Sequence, residues 1–480
     1  MKTTIRGGYV VAFDGETHRV HRDGSVVFED SRIVHAGGAD GEDAEHVIDA
    51  RGKLVLPGLI NTHFHANSEA GGRIIADVGR PDFFQTGYLN YWAVPVGKKG
   101  IRFLERAEAG GKYAMVELLK SGCTTAVELG NEPNYEDLVA VAGELGLRAY
   151  MGPSFSSCFH RTGDRGQLVY EWNEAGGRDG LKRACDLVRN FDGAYNGRIR
   201  GILNPAQADT CSPELLAAAR DAAEALDVPV QVHASQNLME FHEILRRCRM
   251  TPIEFLADVG ILGPRTLLGH CIVTTAHSFS AYPGGRDLEV IADSGSTVAH
   301  CPLVFARRGN ALQSFSRYRK AGINISLGTD TYPRDLISEM RWASLMGKVV
   351  DHDFAAATAR DVFNAATLAG ARALGREDLG RLSPGAKADI VIVDLANLRV
   401  GPLRDPIRAL VNCASSADVE TVIIDGRVVV EGGRVNGVDE EALLAEVQAE
   451  ADQQWESLPQ FHWQGLTADE LSPPSFPWGE

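Results

Sequence analysis

Short apolar runs recur through the middle of the chain, and each ends on a polar residue able to hold a metal. Pro57-Gly58-Leu59-Ile60-Asn61-Thr62-His63-Phe64-His65 is the first. Val228-Pro229-Val230-Gln231-Val232-His233, Thr266-Leu267-Leu268-Gly269-His270-Cys271 and Ile323-Asn324-Ile325-Ser326-Leu327-Gly328-Thr329-Asp330 follow. Their length and β-branched content predict strands, and the segments before them, such as Pro213 to Ala225 and Pro252 to Val259, have helical character. Strand, polar tip and helix in repetition predict an α/β fold, a (β/α)8 TIM barrel, whose C-terminal strand ends converge on one mouth. His63 and His65 are two apart in a strand, so both imidazoles project to one face, as a divalent metal needs.

A different texture flanks this middle. Up to about Leu56 short strands alternate with turns at Asp14-Gly15, Asp23-Gly24 and Gly37-Gly38, and the pattern returns in Asp389–Asp394 and Val422–Arg427. Residues 1–56 and 385–435 are therefore expected to form a small composite β-sandwich around a barrel at 57–384. Residues 436–480 read as a C-terminal helix and a tail. Leu443, Leu444, Val447 and Ala451 give the helix its apolar stripe, with Asp439 near its N-cap. Phe461, Trp463, Phe476 and Trp478 in the tail are expected to pack on the barrel or on a neighbouring subunit, which makes a homo-oligomer the expectation.

Composition narrows the class. Eight cysteines are scattered without a Cys-x-x-Cys pair, which predicts a reduced, cytoplasmic protein rather than a disulfide framework. Met1 to Arg6 lacks the apolar core of a signal peptide, and no segment reaches the length of a membrane span. A formal charge of −16 without a basic cluster disfavours nucleic acid. The expected partner is a small-molecule substrate, with no nucleic acid and no membrane.

The motifs carry a resemblance. Pro57-Gly58-Leu59-Ile60-Asn61-Thr62-His63-Phe64-His65, the strand-end His233 and His270, His300-Cys301-Pro302, Gly328-Thr329-Asp330, Asn364–Ala371 and Gly380–Val391 span nearly the whole chain. In this order they resemble the metal-dependent amidohydrolase superfamily, which implies the same barrel and composite sandwich. His63, His65, His233 and Asp330 make a three-nitrogen, one-oxygen shell around one divalent metal, Zn2+ first, with Fe2+, Mn2+ or Co2+ compatible. The resemblance implies Asp330 as general base and His270 as a hydrogen-bonding or polarising group. Two-metal relatives place a bridging lysine or glutamate on a middle strand. Arg198–Pro205 has no lysine, so one metal is expected; Glu128, at the end of the third predicted strand, is a ligand or a mouth carboxylate.

One departure steers the chemistry. Ring deaminases of the superfamily carry His-x-x-Glu, whose glutamate protonates a ring nitrogen, whereas this chain reads His233-Ala234-Ser235-Gln236. Glutamine carries no proton at neutral pH. The sequence thus looks more like the phenylurea and thiocarbamate (molinate) hydrolase branch: a metal-bound hydroxide attacks the carbonyl carbon of an amide, urea or carbamate, with Gln236 orienting the substrate. The alternative is a ring deaminase of a purine, pyrimidine or triazine, with Glu240 or Glu243 bending in. Arg80, Phe84, Asn204 and Tyr332 are candidate substrate contacts, and Pro333 and Arg334 candidate pocket residues. His300 reads as a histidine behind the ligands or a structural one; His160, His242 and His277 read as surface or loop residues.

Overall fold

The computed structural model describes residues 2–39, 44–66, 73, 95–97, 108–130 and 134–479. Among these residues, eight parallel strands of three or more residues carry the middle of the chain: β1 (Leu59–Phe64), β2 (Cys123–Glu128), β3 (Arg148–Met151), β4 (Ile199–Gly201), β5 (Val230–Ala234), β6 (Thr266–His270), β7 (Thr297–His300) and β8 (Asn324–Leu327). They form two four-stranded sheets, β1 to β4 and β5 to β8. Isolated parallel bridges join the sheet edges, Leu203 to Val230 and Gln207 to His233 on one side and Phe64 to Asp330 on the other. Glu128 therefore closes the second strand of the series, not the third.

Helices separate the strands, and the sequence says where they start. Ser212 accepts the Leu215 amide ahead of Pro213–Leu226, and Thr251 and Glu254 form a reciprocal capping box ahead of Pro252–Val259. Both helices open on proline, whose missing N–H would be unsatisfied there anyway. One extended core, from Leu59 and Phe64 through Val232 and Leu268 to Leu327, fills the space between strands and helices.

The terminal strands make one continuous nine-stranded sheet. It closes where Lys53–Pro57 pairs antiparallel with Ile390–Asp394, so segments from the two ends of the chain lie side by side. Its strands alternate between two cores. Val10, Ala12, Val55, Ile390 and Ile392 pack into a small separate cluster, while Val11, Leu54, Leu56, Val391 and Val393 face the main core. Period-two alternation with both faces apolar is what a sheet covered on both sides requires.

The C-terminal helix spans Glu440–Phe461, capped by Asp439, whose carboxylate accepts the Ala442 amide at 3.0 Å. Leu443, Val447, Ala451 and Leu458 are its buried stripe, against the helix Glu108–Lys120. The tail divides: Phe461 and Trp463 are half-buried, but Phe476 and Trp478 stand more than four-fifths exposed. No helix among the described residues is long and apolar enough to cross a membrane.

Candidate metal centre

Backbone pairing brings the candidate ligands together. Asp330 lies three residues beyond β8, and its amide and that of Thr329 donate to the His63 carbonyl at 2.9 and 3.0 Å. The His65 amide donates back to the Asp330 carbonyl at 2.8 Å. Asn61 locks the junction, donating its amide to Thr329 Oγ1 at 2.9 Å and accepting the His63 N–H at 3.1 Å. Two glycines leave room for His63: a Cβ on Gly269 would lie 2.9 Å from His63 Cε1, and one on Gly328 2.7 Å from His63 Cβ. The carboxylate Oδ1 of Asp330 then stands 3.8 Å from His63 Nε2 and 3.4 Å from His65 Nε2.

His233 enters from β5. Its Nδ1–H donates to the Ala206 carbonyl at 2.5 Å, which fixes the tautomer and leaves Nε2 as a lone-pair donor. That Nε2 faces His65 Nε2 at 3.2 Å, and ring nitrogens of His63, His65 and His233 lie within 4.8 Å of one another. Both nitrogens of His63 are buried without a hydrogen-bond partner. Orphaned nitrogens are costly unless something binds them. Three converging imidazoles and one carboxylate thus fit a divalent cation.

Electrostatics keep these groups ready to ligate. Burial, then neighbouring rings, drives His63 far below the ordinary histidine range; burial first, with Arg334 for His65 and His65 for His233, lowers those two to about 4. All three are neutral at pH 7. Burial pushes the Asp330 carboxyl up, against the pull of Arg308. Ser235, His270, Cys271 and Asp330 all adopt positive φ, between 45° and 79°, at the strand ends. Side chains rarely accept that conformation, and it turns each of these residues out of its strand direction.

His270 stands beside the ligands, its ring 4.6 Å from that of His63, with both nitrogens buried and unpartnered. Cys301 was not anticipated there, yet its sulfur groups with ring nitrogens of His63 and His270 within 4.8 Å. Arg334, fully buried, donates to the His65 carbonyl at 2.5 Å. Tyr332 lies between the guanidinium groups of Arg73 at 5.3 Å and Arg307 at 4.6 Å. Gln236 is half-buried. Arg80 and Phe84 lie outside the described residues.

Other candidates are engaged elsewhere. The Asn204 amide donates to the Glu128 and Gly152 carbonyls at 3.1 and 2.6 Å, so its donors tie strand ends together, while its Oδ1 is buried without a hydrogen-bond partner. Glu128 accepts from the Ala66 and Gly130 amides and from Tyr135 Oη, and is a buried brace. His300 is buried and joins neither ligand group. His160 pairs with buried Asp209 at 3.1 Å and His277 is buried against the Ala311 carbonyl, so neither is a simple surface residue; His242 is exposed.

Glu240, one of the two glutamates considered as a substitute acid, does fold back under the loop after His233. It is fully buried and accepts the Ser235 and Gln236 amides at 2.7 Å each and the Gln207 side-chain amide at 3.1 Å. Burial, then Asp209, pushes its carboxyl up to about 8, outweighing those three donors. Asn237, three residues earlier, caps the helix Leu238–Cys248. Asn-x-x-Glu was the available signal, but it predicts a carboxylate folded back on the cap rather than one beneath Gln236.

A strand-borne histidine pair, a third histidine and a strand-end aspartate around one cation site agree with what sequence comparison finds: residues 54–429 match the amidohydrolase family model, and the chain belongs to that family. It is a hydrolase acting on carbon–nitrogen bonds other than peptide bonds. The 5'-deoxyadenosine deaminase of Methanothermobacter thermautotrophicus is 34% identical over 90% of this chain and 94% of its own. Among solved structures, an adenosine deaminase from Xanthomonas campestris with bound zinc superposes with a TM-score of 0.79 at 24% identity, over 94% of this chain and 98% of that one. Atrazine chlorohydrolase from Arthrobacter aurescens TC1, complexed with zinc, gives 0.75 at 23%, over 94% and 100%. These two show likeness of fold.

Proposed function

We propose that the protein is a hydrolytic deaminase that releases ammonia from an amino-substituted nitrogen heterocycle of the adenosine type. His63, His65, His233 and Asp330 would hold one divalent cation, zinc first, at the mouth of a (β/α)8 barrel. Bound there, a cation supplies Lewis acidity that lowers the pKa of water from ~15.7 toward ~7. Asp330, its carboxyl raised by burial, takes the proton of the attacking water and passes it to the leaving ammonia. His270, kept neutral by burial, donates a hydrogen bond to the attacking oxygen.

Gln236 had pointed away from deamination, because ring attack needs a proton on the adjacent ring nitrogen. Glu240 removes that objection, and it is the observation that carries this proposal. Its raised carboxyl holds a proton at neutral pH directly beneath the backbone of Gln236 and beside Gln207, whose backbone pairs with His233. Relatives at 29 to 34% identity named as deaminases of 5'-deoxyadenosine or of 5-methylthioadenosine and S-adenosylhomocysteine supply the substrate class.

The test is a panel of adenosine, 5'-deoxyadenosine, phenylureas, carbamates and anilides offered to zinc-loaded enzyme. Ammonia release from the nucleosides is expected. Turnover confined to ureas, carbamates or amides would instead restore the acyl-carbon chemistry that Gln236 suggests.

A further inference from the structure

Two arginines, Arg148 and Arg334, are among the largest side chains that the fold buries completely. A buried guanidinium is costly unless it is paired, and the two find partners of different kinds. Arg148 meets the carboxylate of Asp389. Arg334 divides its fork: Nη2 donates to the backbone carbonyl of His65 at 2.5 Å, and Nη1 donates to Glu117 Oε2 at 3.4 Å.

That carbonyl matters because of where His65 sits. β1 ends at Phe64, so His65 is the first residue beyond the strand, and its side chain is 21% exposed where that of His63 is fully buried. His233, inside β5, has its amide bound to the Ala206 carbonyl and its own carbonyl bound to the Ala208 amide. For His65 the amide is tied to the backbone of Asp330, but the carbonyl is held by a side chain.

Arg334 is itself anchored from both directions. Four residues earlier the Asp330 amide is bound to the His63 carbonyl, and the next residue, Asp335, caps the helix Leu336–Asp351 by accepting the Ser338 amide at 3.0 Å. Glu117, on the helix Glu108–Lys120 that leads into β2, fixes the other arm of the fork and also takes Arg73 Nη2 at 3.0 Å. A positive charge beside a cation site opposes the metal. What Arg334 contributes there is therefore placement and not charge.

We infer that Arg334 is a positioning residue of the metal centre, holding the His65 peptide so that the imidazole stays aimed at a cation shared with His63, His233 and Asp330; this rests on the proposed function for the ligand set and not for the reaction. Arginine suits the task because its planar fork reaches a carbonyl and a carboxylate at once.

Zinc affinity of wild type, Arg334→Met and Arg334→Lys is measured by chelator competition, without substrate, at a temperature where circular dichroism shows each protein folded. Positioning predicts weaker binding in both variants. The loss is expected to be ~10- to 100-fold in Arg334→Met, the range for groups that orient a metal ligand, and smaller in Arg334→Lys, whose ammonium cannot hold carbonyl and carboxylate together. Charge alone predicts tighter binding in Arg334→Met and no change in Arg334→Lys, and that result would overturn the assignment. Should Arg334→Met not fold, Arg334→Lys decides by itself, because it keeps the charge and removes only the fork. Cobalt-substituted proteins give a second readout: visible absorption, which reports the number and geometry of ligands, is expected to differ between wild type and the variants, and identical spectra would refute a displaced His65. Equal zinc affinity in all the proteins would remove Arg334 and leave the ligand set standing, whereas no zinc binding by wild type would overturn the ligand set and Arg334 with it.

Discussion

Two buried polar regions sit at opposite ends of the strands, and they are built in opposite ways. At the N-terminal end, Arg148 opens β3 and forks onto Asp389 at 2.9 and 3.1 Å, with Asp425 at 3.4 Å. Asp425 also takes Lys387 Nζ at 2.7 Å and donates its amide to Asp389 at 2.8 Å. Charges there are matched within the chain, and they staple the strands to the terminal sheet. At the C-terminal end, His63 and His270 leave four ring nitrogens unpartnered, and two Nε2 atoms, of His65 and His233, face each other at 3.2 Å. Buried polar groups that the protein satisfies itself hold the architecture, and those it leaves open define what must be bound.

Removing a ligand should break the open end most completely. His63→Ala is expected to abolish activity and to drop bound metal from about one per chain to a small fraction, since a four-ligand shell does not survive the loss of a buried imidazole. Elemental analysis checks this; full metal content in the variant would remove His63 from the shell. Asp330→Asn is next: an amide oxygen still ligates but takes no proton, so turnover should fall ~10²- to 10⁴-fold with much of the metal retained. Near-normal turnover would end its assignment as base.

Arg148→Met tests the matched end. It strands Asp389 in the interior while Asp425 keeps Lys387, and unfolding free energy should drop by ~3–5 kcal/mol, while the molecules that remain folded keep their metal and kcat. Loss of metal at temperatures where the variant is folded would show the two ends to be coupled. Glu240→Gln sharpens the comparison at the boundary. Activity that needs its proton declines as pH rises through about 8 in wild type, and that alkaline limb should disappear in the variant along with ~10²-fold in rate. The folded protein holds this proton where the unfolded chain releases it, so Glu240 makes stability fall with rising pH from the ordinary carboxyl range to about 8. Thermal unfolding across that window should show a flatter slope in Glu240→Gln.

The strand ends were legible because each is a short apolar run with a polar tip, and a parallel strand admits few other places for that residue. Helix starts at Pro213 and Pro252 were equally plain from their caps. Glu240 could be offered only as one of two glutamates bending in, because its placement depends on the positive φ of Ser235, which turns the chain so that the first helical turn tucks a carboxyl under the preceding loop. For Asn204 the sequence did not show that both amide donors are taken: the strand is interrupted between Met151 and Ser154, which leaves the Gly152 carbonyl for its amide. Local pattern specifies which residues reach the mouth; it does not specify which are already occupied by neighbouring backbone.

The closure of the terminal sheet also imposes an order on synthesis. Lys53–Pro57 leaves the ribosome early, yet its antiparallel partner Ile390–Asp394 is translated after all of β1 to β8, and Val419–Ile424 later still. Until then the apolar edge formed by Leu54, Val55 and Leu56 is without its partner, and pairing across such a sequence separation is slow. A nascent chain arrested near residue 385 would hold all four proposed metal ligands and still present an open, hydrophobic strand edge, the kind of surface on which chaperones act and aggregates grow.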